Sequence, residues 1–182
     1  LLKRLGCKAI PVNCEMTGTF PRGPEPTADS LGDLCRRVVE SGADIGFATD
    51  PDGDRISIVT EKGVPLGEEY SLVLATEFVL EHKLGPVVTN VATTRAVEDI
   101  ATRRGCPLVR SAVGEANVVE KMIQVGAVIG GEGNGGVINP AIQYARDGPA
   151  ATALILEGLC HFGGKLSILA KRLPKYYMIK KK

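Results

Sequence analysis

Short β-type runs alternate with amphipathic helical runs along most of the chain. KAIPV (Lys8 to Val12) is β-like, and a Pro/Gly-rich loop, TGTFPRGPEP, follows it. In TADSLGDLCRRVVESG the apolar positions Leu31, Leu34, Cys35, Val38 and Val39 recur at helical spacing, which predicts one buried helix face. Gly42 stands where such a helix takes a left-handed C-terminal residue. ADIGFAT is a buried-strand candidate that runs straight into DPDGDR, and RISIVT then alternates, with Ile56 and Ile58 on one face. EEYSLVLATEFVLEHKLG predicts a strongly apolar helix closed by Gly85. The rhythm then repeats: PVVTNV, PLVRS and AVIGG as strands, with TTRAVEDIATRRG and EANVVEKMIQVG as helices between them. Val118, Val119, Met122 and Ile123 mark the buried face of the latter. DGPAATALILEGLCHFGG is a helix with Asp147 as its N-cap and Ala151, Leu154, Ile155, Leu159 and Phe162 facing inward.

Such alternation predicts the α/β class, with mixed or parallel sheets covered by helices. A boundary near Leu84–Pro86 predicts two successive small domains, residues 1–84 and 85–172, with 173–182 as a basic linker. The length of 182 residues admits two such units. Twenty-two Lys+Arg against 21 Asp+Glu leave a net charge of +1, which offers no strong field to nucleic acid or to a membrane. No apolar run approaches the roughly 18 residues a membrane span needs, and the start reads as no signal peptide. Five cysteines without a CxxC pair point to free thiols in a reducing, cytoplasmic setting. Two histidines and no tryptophan argue against histidine-rich metal sites and base-stacking surfaces.

Binding loops in α/β folds gather at the carboxyl ends of strands, and both polar loops here, DPDGDR and GGEGNGG, directly follow a predicted strand. Asp50, Asp52 and Asp54 alternate in a tight turn. Three carboxylates this close repel one another, and a hard divalent cation relieves the repulsion; oxygen ligands suit Mg²⁺, Mn²⁺ or Ca²⁺. The competing reading is a solvated turn, since Asp, Pro and Gly are turn formers. An EF-hand fails: Glu61 falls at loop position 12, but Arg55 stands where position 6 needs Gly, and a strand-like segment follows. Arg55 beside the carboxylates serves as their ion-pair partner or as a phosphoryl-holding cation.

Gly131, Gly133 and Gly136 match GxGxxG, but a dinucleotide fingerprint must open a helix, and VINP follows here. What remains is a glycine-hinged loop presenting Glu132 and Asn134, whose carboxylate and amide suit sugar hydroxyls. A plain hairpin turn is the alternative, since Asn-Gly favours one. His82 and His161 fall in helical runs and give Ser-His-Asp catalysis little support, and Cys106 reads as core.

Taken in order, these loops resemble those of the α-D-phosphohexomutase family, which includes phosphoglucomutase, phosphomannomutase and phosphoglucosamine mutase. The family's Mg²⁺ loop is of the DGDGDR type; here it reads DPDGDR, keeping all three Asp and the Arg. Its sugar loop is of the GExSG type; here it reads GEGNGG, with Asn134 in the Ser position. CKAIPVNCEMTGTFPRGPEPTADSL looks like the family's second domain, VGEANVVEKM like a segment of the third, and LPKYYMIKKK like the linker to a fourth. Members specific for glucose or mannose phosphates often carry a His where Gly136 stands, and a Lys and a His near Ala112 and Glu115; the variants here look more like the archaeal-type phosphoglucosamine mutases and their bifunctional relatives, which leaves the sugar open.

The resemblance implies a fragment, part of domain two and all of domain three, with the first and fourth domains as missing partners and a hexose phosphate as substrate. It implies a phosphoserine shuttle through a 1,6-bisphosphate, with Mg²⁺ on Asp50, Asp52 and Asp54, Arg55 orienting the phosphoryl group, and Glu132 and Asn134 gripping the sugar. No serine here lies in a SHNP-type context, so the fragment alone is expected to bind Mg²⁺ weakly and to lack mutase activity. Two other readings compete: a standalone metal- or carbohydrate-binding module without catalysis, and a phosphatase using Asp50 as nucleophile, which the third Asp argues against.

Overall fold

The computed structural model describes residues 1–177. Strands β1 (Ile45–Thr49) and β2 (Ile56–Thr60) form an antiparallel pair. A second sheet has four strands in the order β4-β3-β5-β6: β3 (Val87–Asn90), β4 (Leu108–Ser111) and β5 (Ile129–Glu132) run parallel, and β6 (Gly136–Ile138) pairs antiparallel with β5. The helices are α1 (Gly32–Ser41), α2 (Glu69–His82), α3 (Ala96–Arg103), α4 (Glu115–Val125), α5 (Gly148–Phe162) and the short α6 (Leu166–Ala170). Mixed and parallel sheets covered by helices are the α/β architecture the sequence predicts.

The pleat sorts the core. Val87, Ile129 and Val137 join Leu72, Val97, Ile100 and Ile155 in the main cluster beneath α2, α3 and α5. Val88 and Ile138 point the other way, onto Val118 and Met122 of α4. Strand β2 is buried along its whole length: Ile56 and Ile58 enter the main cluster, and Val59 meets Leu31 and Val38 beneath α1. Residues i and i+2 of a strand share a face, so its alternation divides two interiors instead of separating core from water.

Several local expectations change. KAIPV forms no strand. Val39 and Ile123, at the margins of their helical stripes, are exposed. Helix α2 ends at an extended Lys83, not at Gly85. Gly85 serves packing instead, because a Cβ there would press on Val128 Cγ1 at 2.5 Å. Helix α2, assigned above to the first unit, packs chiefly against α5, α3 and β5. Its apolar residues lie nearly all around the helix, which identifies it as buried but says nothing of which sheet it covers. Leu173, in the expected linker, is buried, and Pro174 O accepts a 3.1 Å hydrogen bond from Tyr70 Oη. Residues 178–182 of that linker lie outside the described residues.

The two sheets meet at a seam. Ile56 N donates to Gly135 O at 3.1 Å, and Arg55 bridges Gly136 in antiparallel fashion. That seam sets the Asp loop after β1 against the glycine loop after β5.

Candidate functional site

The turn 50–55 joins β1 to β2. It closes through Gly53, whose φ of 75° suits a residue without Cβ, and through Gly53 N donating to Asp50 O at 3.2 Å. Asp50 is buried, Asp54 half-buried and Asp52 exposed, and one oxygen from each lies within 4.8 Å of the others. Arg55 locks Asp50, its backbone N–H donating to Oδ1 at 3.1 Å and its Nε to Oδ2 at 2.5 Å. The rest of the guanidinium is engaged by Glu25 from the Pro/Gly-rich loop, NH1 to Oε2 at 2.6 Å and NH2 to Oε1 at 3.3 Å.

The charges follow from these contacts. Burial alone would raise the Asp50 carboxyl, but the Arg55 N–H and guanidinium outweigh it and hold Asp50 below the usual range. Burial raises Asp54; the pull of Arg146 opposes this, and repulsion from Asp50 and Asp52 adds to it. Glu25 foremost, and then Asp50, hold Arg55 more firmly protonated than usual despite its burial.

The donor set fits a hard divalent cation. Three carboxylates converge, and Asp54 Oδ1 is buried with no hydrogen-bond partner. Arg55 Nε stands 3.6 Å from it, too far for a hydrogen bond; a buried anionic oxygen without one is costly, and a cation would satisfy it.

Glu132 ends β5 and is 4% exposed. Its Oε1 accepts from Asn90 Nδ2 at 2.7 Å and from Gly114 N at 3.1 Å, and its Oε2 accepts from Arg146 NH1 at 3.1 Å and Asn134 Nδ2 at 3.5 Å. Asn90 ends β3, and Gly114 lies between β4 and α4, so three neighbouring parallel strands present this site at their carboxyl ends. The glycine loop is a tight turn between β5 and β6 and opens no helix, with Asn134 Oδ1 accepting from Gly136 N at 3.1 Å. The hairpin expected as the plain alternative has formed, and it carries both Glu132 and Asn134.

Sequence reasoning missed Asn90, Glu25 and above all Arg146, and it marked Glu115 only as a position where relatives differ. Arg146 precedes the Asp147 N-cap of α5, and its backbone N–H donates to Glu115 Oε1 at 2.7 Å. Its NH2 reaches Asp54 Oδ2 at 2.6 Å while its NH1 holds Glu132. The two loops share this one guanidinium. No motif marks it; only the fold brings residue 146 beside residue 54. His82 and His161 lie away from these loops, stacked with Phe78 at ring-centroid distances of 4.5 and 5.6 Å.

In this α/β chain a triple-Asp turn abuts a Glu-bearing glycine hairpin. Residues 67–177 match the family model described as phosphoglucomutase/phosphomannomutase, alpha/beta/alpha domain III, and residues 1–63 match domain II. The chain belongs to the phosphoglucomutase/phosphomannomutase family. It is 40% identical over 184 residues to a Thermococcus kodakarensis protein named phosphoglucomutase/phosphomannomutase, covering 100% of this chain and 40% of that protein. It is 36% identical over 182 residues to a Methanopyrus kandleri protein named "Probable phosphoglucosamine mutase", covering 99% of this chain and 40% of that one. A Burkholderia thailandensis phosphoglucomutase/phosphomannomutase family protein of known crystal structure superposes with a TM-score of 0.82 at 29% identity, over 95% of this chain and 38% of its own. The chain thus spans about 40% of the length of the curated relatives it matches. No helix among the described residues is long and apolar enough to cross a membrane.

Proposed function

We propose that this chain supplies the metal loop and the sugar loop of a phosphohexomutase that interconverts hexose 6-phosphates and hexose 1-phosphates. One observation carries the reading: the Asp50, Asp52 and Asp54 oxygens converge, and a single arginine joins their loop to Glu132. The names of the relatives support the reaction class, and glucosamine phosphate is the preferred substrate on the name of the Methanopyrus relative.

In this reading Asp50, Asp52 and Asp54 hold Mg²⁺, which supplies Lewis-acid neutralisation of phosphoryl charge. The phosphoserine comes from sequence beyond this chain, consistent with the greater length of the relatives. Arg55 orients the transferring group by exchanging Glu25 for phosphoryl oxygens, while its Nε keeps Asp50 in place. Asn134 and the Oε2 side of Glu132 meet the sugar hydroxyls; Oε1 stays committed to Asn90 and Gly114. We also place the division between the units at the 63–67 connection, where the two matched domains part and α2 goes with the second sheet.

The test is a panel of glucosamine, glucose and mannose 6-phosphates with Mg²⁺, assayed on the longer polypeptide that carries this chain and on the 182 residues alone. Turnover only by the longer polypeptide, lost in Asp52→Asn, is expected. Turnover by the 182 residues alone would refute the need for an outside phosphoserine.

A further inference from the structure

Three carboxylates from separate elements converge on Arg146: Asp54 of the metal loop, Glu132 at the end of β5, and Glu115 at the start of α4. Its side chain lies against Gly136, where an added Cβ would collide with Arg146 Cδ. Gly136 has no left-handed φ, so bare space, not backbone freedom, is what its missing side chain provides. A planar guanidinium can fork two carboxylates at once, and here it does so across the two loops.

We propose that Arg146 is a positioning residue that couples the metal loop to the sugar loop, with Gly136 as the vacant slot that admits it. This deepens the reading above and rests on it for the identity of the two ligands. The physical argument is charge sharing. Arg146 NH2 neutralises Asp54 Oδ2, while Asp54 Oδ1 has no hydrogen-bond partner and only the more distant Arg55 Nε at 3.6 Å. A divalent cation drawn to Asp54 competes with the guanidinium for that carboxylate and releases part of its pull to Glu132. The hydrogen bond to Glu132 Oε2 then strengthens or shifts, changing what that oxygen offers a sugar hydroxyl. Coupling between binding sites is reciprocal, so sugar phosphate on the Glu132 side changes metal affinity by the same factor.

The experiment is amide and side-chain NMR on the chain, read at Asn90 Nδ2 and Gly114 N. Both donate to Glu132 Oε1, and neither is adjacent in sequence to the metal loop. Asp54→Asn removes the charge that holds NH2. It is expected to shift both reporters in the wild-type background and to leave them unmoved in an Arg146→Met background. Equal reporter shifts in the two backgrounds, or none in either, overturn the proposal. Gly136→Ala, expected to push the flexible Arg146 side chain aside and leave the strands intact, should abolish the relay like Arg146→Met; this decides the matter should Arg146→Met fail to fold. Mg²⁺ titration forms a separate arm: silence at Asp52 and Gly53 would sink the metal reading, while the Asp54→Asn comparison still tests the strut.

Discussion

Asn90→Ala tests whether the Glu132 carboxylate is held as the geometry requires. Asn90 is 4% exposed. Its Nδ2 donates to Glu132 Oε1 at 2.7 Å, and its Oδ1 accepts from Ala92 N at 3.0 Å and Thr93 Oγ1 at 2.9 Å. A hydrogen bond to a charged group is worth about 1.5–3 kcal/mol and a neutral one about 0.5–1.5 kcal/mol, with further cost where a buried partner is left unpaired. Asn90→Ala removes one of the first kind and two of the second. Water entering the gap recovers part of the loss, so about 3 kcal/mol is the expected destabilisation. Urea denaturation followed by far-UV circular dichroism is the assay, since the chain has no tryptophan to report by fluorescence. With a slope of about 2 kcal/mol/M, the midpoint should fall by about 1.5 M. A double-mutant cycle with Glu132→Gln isolates the pair and should show a coupling of about 1 kcal/mol or more. A loss below about 1 kcal/mol, or effects that simply add, would refute the claim that Asn90 positions Glu132.

Glu61 gives a pH prediction. It accepts from Ser167 N at 3.0 Å and from the Ser167 hydroxyl; burial alone would raise its carboxyl, but the Ser167 bonds hold it below the usual range. The stabilisation is therefore full above the ordinary glutamate pKa of about 4.3 and lost as pH falls through the lower folded value; Glu61→Gln should flatten that acid limb in thermal melts, and an unchanged limb would dismiss the tie. Gly131→Ala places a Cβ against the Gly136 carbonyl at a φ of 155°, so a loss of about 3 kcal/mol or more is expected, seen as a collapse of soluble yield or melting temperature. Asp147→Ala removes the N-cap bond from Ala150 N at 2.7 Å and should cost about 1 kcal/mol, a melting shift of about 2–4 °C.

Elements with a one-sided apolar stripe were legible in the sequence. Helices α1 and α4 emerged where their periodicity placed them, with Gly42 and Gly126 as left-handed C-caps, and the Asp147 cap formed as its position implied. Helix α2 was legible as a helix but not in its allegiance, because burial on most sides erases the periodicity that tells which neighbour it serves. The β-like composition of Lys8–Val12 was insufficient, since a strand exists only through a partner. At the site, the motif residues were visible because they crowd into short runs, Asp50 to Arg55 and Glu132 to Asn134. Arg146, Asn90 and Glu25 were not, because each reaches its place through the fold and no local pattern marks its role; Glu115 lay in a recognisable segment, but nothing there pointed to its contact with Arg146. The one available hint for Arg146 was a charged residue just before an N-cap, in a chain whose glycine loop leaves a side-chain slot empty at Gly136.

The seam between the two sheets makes the peptide link between them partly redundant. Ile56 N on Gly135 O, the Arg146 fork, and Glu61 on Ser167 all clasp residues below 63 to residues above 67 without using the intervening connection. A protease nick within residues 64–66 would cut the string but not the knot. The two pieces should co-purify, and separately expressed halves should reassemble by fragment complementation. Cut or uncut, the clasped pair should move as one body, because the clasp and not the connection holds it.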